Sequence, residues 1–394
     1  MSLQNGLTYL AIPGPSVTPD RVLQAMHRAA PNINTGALTE MVPDIIADLN
    51  MMAHNEGYCA PYISNGHGVW EAALANTLSR GDLVLVLGTG HFSHGWKTIA
   101  ESMGIDVEVL EFGRTSPSDP EAVAARLAKD PDHRIKAVLC VHVDTSSSVK
   151  SDVEMVRAAI DAARHPALLM VDCIASFGCD RFEMTPWGAD LMITACQKGL
   201  MTPPGVAFVF YNDKADKMRE TANCVTHYWD WRPRTDPEMF YKFFDGTAPT
   251  HHLFGLREAL AMISEEGLDM VWRRHTVLAQ AIWAAVDHWG SDGPLEHNVP
   301  KTLHRSHAVT TIKTGDSGAL ALQEWCKTKA GLTLGIGLGM DRPDQYFRIG
   351  HMGYVNAQMI LGVLATIEAG MKATGLEHAP GGAAVAAEVI AAQA

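Results

Sequence analysis

The chain has 394 residues, a length that predicts one large domain or two with an extensive core. Hydrophobic residues make up 47% of the sequence and charged residues 19%, a composition that disfavours disordered, collagen-like and coiled-coil proteins. Lys and Arg total 31 against 44 Asp and Glu, a net charge of −13. This acidic balance argues against nucleic acid or an anionic membrane as a partner.

The seven cysteines include no CxxC pair and no paired zinc-ligand spacing, so neither a disulfide framework nor a metal site is expected. The N-terminal residues MSLQNGLTYLAIPGP lack the basic start and the long apolar stretch of a signal peptide. No apolar run approaches the ~18 to 20 residues that span a bilayer. We therefore expect a cytoplasmic protein.

Between residues 80 and 211, apolar runs rich in β-branched residues alternate with stretches of helical spacing. This alternation predicts an α/β fold with a parallel sheet and crossover helices. Because the runs are continuously apolar, the strands should be buried on both faces. The predicted strands cover residues 82–88, 135–143, 167–175, 190–196 and 205–211, and the predicted helices between them cover residues 120–129 and 151–165.

Residues 229–250 mix aromatic residues, prolines and charges without a period and are typical of a structured connection. Two helical stretches broken near Gly267 follow, and then a shorter mixed α and β segment. The alanine-rich end favours a helix that would be marginal alone. We predict an N-terminal arm (1–20), a large domain (21–250), a small C-terminal domain (251–380) and a tail (381–394).

Polar residues that follow apolar runs are candidate site residues, because ligands of open α/β sheets bind beyond the carboxyl ends of the strands. Lys198 ends one run, and a partly desolvated lysine there can form a Schiff base, although the residue taken alone fits a solvated surface lysine better. Asp172 ends another run and could pair with a protonated pyridine nitrogen or cap backbone amides. Residues 64–68 precede a helical stretch whose N-terminus favours a phosphate, or they form a plain capping turn.

The order of phosphate turn, strand-end aspartate and strand-end lysine resembles that of the class V aminotransferases of fold type I, which use pyridoxal 5'-phosphate. The chain is most similar to the serine–glyoxylate and alanine–glyoxylate aminotransferase group. The matching segments are residues 12–19, 64–82, 149–178, 196–205, 253–260 and 347–353. The resemblance implies a mixed, mainly parallel sheet with helices on both faces, a smaller C-terminal α+β domain, and a homodimer with active sites at the subunit interface.

The resemblance also implies a role for individual residues. Lys198 would hold the cofactor covalently and then move the substrate proton, Asp172 would pair with the pyridine nitrogen, and Arg348 would bind the substrate's α-carboxylate. The remaining cofactor contacts would be Asn65, Gly66 and His67 at the phosphate, Phe92 and Ile174 against the ring, Thr145 near O3′, Gln197 beside the lysine, and Thr247 at the phosphate of the other subunit.

The implied reaction is a ping-pong transamination between a small α-amino acid (serine, alanine or aspartate) and a small 2-oxo acid (glyoxylate or pyruvate). Several departures from the family pattern bear on the substrate. Residues 34–37 (NTGA) stand where relatives carry His-Arg-Ser-Pro, and Phe244 stands where relatives often have a tyrosine that reaches the phosphate. The sequence therefore leaves the amino donor open.

Other readings of the sequence fit less well. A nicotinamide dehydrogenase needs a GxGxxG after its first strand, and GTGHFSHG (88–95) lacks the third glycine. A lyase of the same cofactor class, such as a cysteine desulfurase, is the alternative suggested by Cys326 downstream of the lysine. The helical spacing around Cys326 favours a packed cysteine over a nucleophile on a mobile loop. The histidine pairs 91/94, 251/252 and 304/307 lack the carboxylate spacing that would complete a metal site.

Overall fold

The computed structural model describes residues 2–316 and 318–393, and its main feature is a seven-stranded sheet. In spatial order the strands are Tyr58–Ser64, Gly205–Tyr211, Leu191–Ala195, Leu168–Asp172, Ile135–Val141, Leu83–Gly88 and Asp106–Glu111. The strand at 205–211 runs antiparallel to both neighbours, and the other pairs of neighbours are parallel. The mixed, mainly parallel sheet that the resemblance implies is confirmed.

Helices cover both faces of this sheet. In the central strand, Leu169 and Val171 enter one apolar cluster, whereas Leu168 and Met170 enter a second cluster on the opposite face. The helices of the first cluster are Asp20–Met26, Ala37–Ala53, Pro120–Leu127, Val153–Ala162 and Thr250–Glu266, and those of the second are Gly66–Thr77, His91–Ser102 and Asp213–Met218. Burial on both faces is the reason that the strands read as continuously apolar runs.

The two edge strands of the sheet are absent from the sequence prediction, since neither is a continuous apolar run. Tyr58–Ser64 contains Pro61, which an edge strand tolerates because one side of its backbone has no ladder partner. Asp106–Glu111 alternates acidic and apolar residues. The predicted strands 135–143 and 167–175 end earlier, at Val141 and Asp172, where polar loops begin.

A second, five-stranded sheet is built mainly from the C-terminal part of the chain. Its strands, in spatial order, are Tyr9–Ala11, Leu332–Ile336, Tyr346–Gly350, Val309–Lys313 and Glu296–His297. The helices Leu268–Gly290, Ala319–Ala330, Ala357–Thr374 and Gly382–Gln393 contribute to a third apolar cluster with this sheet. The last helix covers the alanine-rich end and packs on the helices 268–290 and 357–374.

Two features bear on the predicted domain boundaries, which stay a prediction. The strand Tyr9–Ala11, within the predicted arm, pairs in parallel with Leu332–Ile336 of the second sheet. The helix Thr250–Glu266, at the start of the predicted small domain, buries Leu253, Leu256 and other side chains in the first cluster of the large sheet. Among the described residues, no helix has the length and apolarity needed to cross a membrane.

The connection before that helix is structured, as its composition predicts. It holds the short helix Arg232–Thr235 and the 3-10 helix Phe240–Phe243. The buried guanidinium of Arg234 donates to the carbonyls of Pro61 and Phe243, each at 3.1 Å. These bonds tie the connection to the edge strand of the large sheet, so its irregular sequence does not mean a loose loop.

Candidate active site

A cavity of about 170 Å³ lies beyond the carboxyl ends of the parallel strands. Residues from three strand ends and two helix N-termini line it: Asn65, Gly66, His67, Trp70, Phe92, Val143, Thr145, Asp172, Ile174, Ala175, Gln197 and Lys198. Most of the residues predicted from the sequence are therefore brought together here. Thr247 and Arg348 are not part of this lining, and Trp70 is a lining residue that the sequence prediction missed.

Asp172 is the last residue of its strand and is 3% exposed. Its Oδ2 accepts a hydrogen bond from the indole N–H of Trp70 at 2.8 Å, and its Oδ1 accepts one from the backbone N–H of Ile174 at 2.7 Å. Burial raises the pKa of Asp172 to about 7, and the two hydrogen bonds act in the opposite direction. The carboxylate is thus an oriented acceptor at the cavity wall with a proton affinity well above that of an exposed aspartate.

Lys198 follows the neighbouring strand Leu191–Ala195, and its amine is shielded from water. Loss of hydration lowers the pKa of Lys198 to about 8, and the positive charge of Arg348 lowers it further, whereas Asp172 raises it. The amine donates to the carbonyl of Pro13. With a pKa of about 8, roughly a tenth of the amine is neutral at pH 7, far more than in an exposed lysine, and the neutral amine is the form that attacks a carbonyl.

The N-terminal segment closes over this lysine. Gly14 has φ +102°, and a Cβ placed on it would fall 2.3 Å from Nζ of Lys198. Ser16 donates from Oγ to the Lys198 carbonyl at 2.7 Å and from its backbone N–H to the Gln197 carbonyl at 2.9 Å. A glycine is therefore required at position 14 because backbone and amine come this close.

The helix Gly66–Thr77 starts at the cavity. Asn65 caps it, since its Oδ1 accepts from the backbone N–H of His67 at 3.1 Å and of Gly68 at 3.4 Å. A Cβ on Gly66 would fall 2.5 Å from Cδ1 of Ile174. The positive end of the helix dipole and the absence of a side chain at Gly66 leave a cradle in which a phosphate is favoured.

Phe92 is held at the cavity by the buried carboxylate of Asp144. Oδ2 of Asp144 accepts from the backbone N–H of Phe92 at 2.8 Å and of Ser93 at 3.3 Å, in the first turn of the helix His91–Ser102. Oδ1 accepts from the backbone N–H of Ser146 at 3.0 Å. The same carboxylate thus fixes Phe92 and the loop that carries Thr145.

Arg348 belongs to the second sheet and is 6% exposed. It donates from Nε to the carbonyl of Ile336 at 2.6 Å and from Nη1 to the carbonyl of Thr145 at 2.8 Å. Burial lowers the pKa of Arg348 to about 10, which still leaves it charged at neutral pH. The guanidinium therefore joins the second sheet to the loop that lines the cavity.

Thr247 is exposed on the chain's surface.

The sequence profile described as "Aminotransferase class-V" matches residues 67–335. The serine–glyoxylate aminotransferase of Methylorubrum extorquens is 36% identical over 391 residues, which cover 97% of this chain and 95% of the relative. This chain belongs to the class V aminotransferase family. The L-aspartate–glyoxylate aminotransferase of Paracoccus denitrificans is 34% identical over 382 residues, which cover 96% of this aminotransferase and 94% of the relative. The crystal structure of the ureidoglycine–glyoxylate aminotransferase of Bacillus subtilis has the same fold, with a TM-score of 0.88, 24% identity and 99% coverage of both chains.

Class V aminotransferases are pyridoxal-phosphate-dependent, and the cavity of this aminotransferase fits that group. Oε1 of Gln197 is buried at the cavity without a hydrogen-bond partner in the part of the chain that the structure describes. The cradle at Gly66, the acceptor Asp172 and the partly neutral Lys198 supply complements for a phosphate, a protonated ring nitrogen and an aldehyde, respectively.

The cysteine on which the desulfurase alternative depends lies elsewhere. Cys326 is fully buried in the helix Ala319–Ala330, within the apolar cluster of the second sheet. Burial raises the pKa of Cys326 to about 12. A packed helical thiol of this kind is not a nucleophile, because the thiolate is the reactive form.

Proposed function

We propose that this class V aminotransferase moves an amino group between a small α-amino acid and a small 2-oxo acid. The observation that carries the proposal is the convergence of Lys198, Asp172 and the helix N-terminus at Gly66 on one cavity. Serine is the first donor to test and glyoxylate the first acceptor, because the serine–glyoxylate aminotransferase of Methylorubrum extorquens spans nearly the whole chain at 36% identity. Alanine or aspartate as donor and pyruvate as acceptor are the other pairs within the proposal.

In this mechanism, pyridoxal phosphate bound in the cavity would supply an electron sink for the substrate's Cα. Lys198 would hold the cofactor and then, as a free amine with a lowered pKa, remove and return the substrate proton. Asp172 would bind the ring nitrogen and keep it protonated. Phe92 and Ile174 would pack against the ring, with Gln197 and Thr145 beside it.

Asn65, Gly66 and His67 would bind the phosphate at the helix N-terminus. Arg348 would bind the α-carboxylate of each substrate in turn, which limits the substrates to amino and 2-oxo acids. Two of its N–H groups already donate to backbone carbonyls, so the guanidinium is held in place before the substrate arrives. Both half-reactions use the same cavity, and the kinetics are therefore ping-pong.

We also propose that the protein is a cytoplasmic homodimer. Thr247 is exposed and lies outside the cavity of its own chain, which agrees with a residue that completes the partner's phosphate site. The connection that carries it is held by Arg234 and is not loose. A second subunit at this surface would bring Thr247 to a cavity without any rearrangement of its own chain.

The experiment that tests this function is chemical trapping. Borohydride reduction of the holoenzyme, followed by peptide mapping, should place a pyridoxyl group on Lys198, and the variant Lys198→Ala should carry none. A tag on another residue, or no tag, overturns the assignment. Holoenzyme from the same preparation that has not been treated with borohydride is then mixed with serine, alanine and aspartate in turn. The loss of the cofactor's visible absorption ranks these amino acids as donors.

A further inference from the structure

Among the described residues, only Trp70 donates a side-chain hydrogen bond to the carboxylate of Asp172. It lies in the first turns of the helix Gly66–Thr77 and is 1% exposed. Its indole N–H reaches Oδ2 of Asp172 at 2.8 Å, and the backbone N–H of Ile174 reaches Oδ1 at 2.7 Å. Each carboxylate oxygen is therefore already bound on one side by a donor.

The two donors select a charge state for Asp172. An indole N–H and a backbone N–H can only donate, so both need lone pairs on the oxygens that they face. An ionised carboxylate accepts such bonds more strongly than a protonated carboxyl does. The hydrogen bonds thus oppose burial, which favours the neutral acid.

The indole has little freedom to leave Asp172. Its ring stacks on Trp96, with the centroids 6.1 Å apart and the planes at 13°, and it lies 6.3 Å from the ring of Phe92. A Cβ on Gly95 would fall 3.1 Å from Cζ3 of the indole, so the helix that carries Phe92 approaches Trp70 closely. Trp70 is accordingly packed between two helices with its N–H aimed at the carboxylate.

We propose that Trp70 is a positioning residue for the cofactor's ring nitrogen, because it holds Asp172 as an oriented carboxylate at the cavity wall. Trp70 acts through Asp172 and moves no proton itself. The inference rests on the proposed function and deepens it. Trp70 would thereby influence the protonation of the cofactor's ring nitrogen from the same helix whose N-terminus would bind the phosphate.

Several groups around Asp172 determine how its pKa would change if the indole N–H of Trp70 were lost. Burial raises the pKa of Asp172 most, Asp144 raises it further, and Lys198 lowers it. Cys140 and Cys173 also lie near Asp172, and burial keeps both thiols protonated. Without the Trp70 bond, burial and Asp144 would act with less opposition, so Asp172 would hold its proton to higher pH.

The test compares two Trp→Phe variants. Trp70→Phe keeps an aromatic ring and removes the N–H, whereas Trp272→Phe makes the same change at a buried indole outside the cavity lining, whose N–H has no partner in residues 2–316 or 318–393. Cofactor affinity is measured by fluorescence titration of the apoprotein with pyridoxal phosphate. Protonation of Asp172 is measured by its infrared carboxyl band, assigned by its loss in Asp172→Asn.

We expect Trp70→Phe to weaken cofactor binding about tenfold or more and to keep the carboxyl band to a pH about one higher, as removal of a hydrogen bond to a charged group predicts. Trp272→Phe should do neither. In the Asp172→Asn background, Trp70→Phe should add little, because the two residues act as one unit. Trp70→His, which restores a ring N–H donor, should fall between the wild type and Trp70→Phe and serves if the latter does not fold.

Two results would overturn the inference. One is a Trp70→Phe effect of equal size with and without Asp172, and the other is an Asp172 band that titrates unchanged in both Trp70 variants. Failure of the proposed function has a different signature: the wild type itself would not bind pyridoxal phosphate. The infrared titration of the apoprotein would still report on the contact between Trp70 and Asp172 in that case.

Discussion

The chemistry of Lys198 depends on how far the surrounding protein removes water from its amine. Burial lowers the pKa of Lys198 from its ordinary 10.5 to about 8, and only the neutral amine attacks an aldehyde. Since the amine deprotonates as the pH rises, its reactivity increases up to about pH 8 and then levels off. An exposed lysine would continue to gain reactivity toward pH 10.5.

This gives a testable pH profile. The rate at which the apoprotein captures pyridoxal phosphate, followed by stopped-flow absorption, should rise with pH and reach its plateau above about 8. The chain's accessible lysines, labelled with the same aldehyde in Lys198→Ala, provide the control and should show no plateau in this range. A profile that rises steadily past pH 9 in the wild type would show that burial of the amine is not what activates it.

At Arg348 the backbone carbonyls of Ile336 and Thr145 fix a planar fork, which a lysine cannot reproduce. Arg348→Lys should therefore lower kcat/KM for amino-acid donors by about 10- to 150-fold, the equivalent of ~1.5 to 3 kcal/mol for a hydrogen bond to a charged group. Steady-state kinetics measure the loss. Arg342→Lys, at an exposed ion pair with Asp344, is the matched control and should leave kcat/KM unchanged. Equal effects of the two substitutions would remove Arg348 from the substrate site.

The helix His91–Ser102 shows how one carboxylate connects an element to the site. Asp144 binds two backbone N–H groups in its first turn, and one of them belongs to Phe92. Asp144→Asn should cost about 1 kcal/mol of stability, as loss of a helix cap does, and should also weaken cofactor binding because Phe92 is no longer held. Thermal denaturation and a fluorescence titration with pyridoxal phosphate measure the two effects.

The control for this element is Asp119→Asn. Asp119 caps the helix Pro120–Leu127 through the backbone N–H of Glu121 at 3.0 Å and lies outside the cavity lining. The same chemical change there should lower stability without changing cofactor affinity. If Asp144→Asn also left the affinity unchanged, the cap would stabilise the helix but would not position Phe92.

At the scale of helices and strands, the sequence predicts the elements whose residues form a clear local pattern. The five central strands, and the placement of Asp172 at the end of one strand and of Lys198 just after another, follow from apolar runs that end in a polar residue. The edge strands do not, since an edge strand with Pro61 or with alternating acidic residues resembles a loop. Trp70 shares a helix face with His67, three residues earlier, yet its bond to Asp172 joins residues 102 positions apart and is fixed only by the tertiary fold.

At the scale of the molecule, the loop at residues 144–148 joins the two sheets. The carbonyl of Thr145 accepts from Arg348, the carbonyl of Ser147 accepts from Asn298 at 2.7 Å, and the hydroxyls of Ser148 and Thr311 are 2.5 Å apart. The cavity side of the large sheet is therefore braced by the second sheet within one chain. Thr247, which we propose completes the phosphate site of a partner subunit, is exposed and lies outside the cavity of its own chain.

Mixed dimers test whether a second subunit supplies that residue. Lys198→Ala has a dead cavity but an intact Thr247, and Thr247→Ala has the reverse, so a dimer of one of each contains one complete site. After random exchange in an equal mixture, about a quarter of all sites should be complete, as expected for a two-fold dimer. Activity at a cofactor concentration too low to saturate Thr247→Ala alone should rise accordingly, together with a dimer mass by analytical ultracentrifugation.

The matched control mixes Lys198→Ala with Asp172→Asn. Both residues line the same chain's cavity, so their mixed dimer has one fault in each site, and the mixture should show only the sum of the separate activities. Recovery in this control would mean that the cavity residues are themselves shared between subunits. A monomeric mass, or no recovery of activity in the Thr247 mixture, would instead place Thr247 outside the active site. The side chain of Thr247 is exposed in its own chain, so it can contribute to catalysis only if it contacts the phosphate site of another chain.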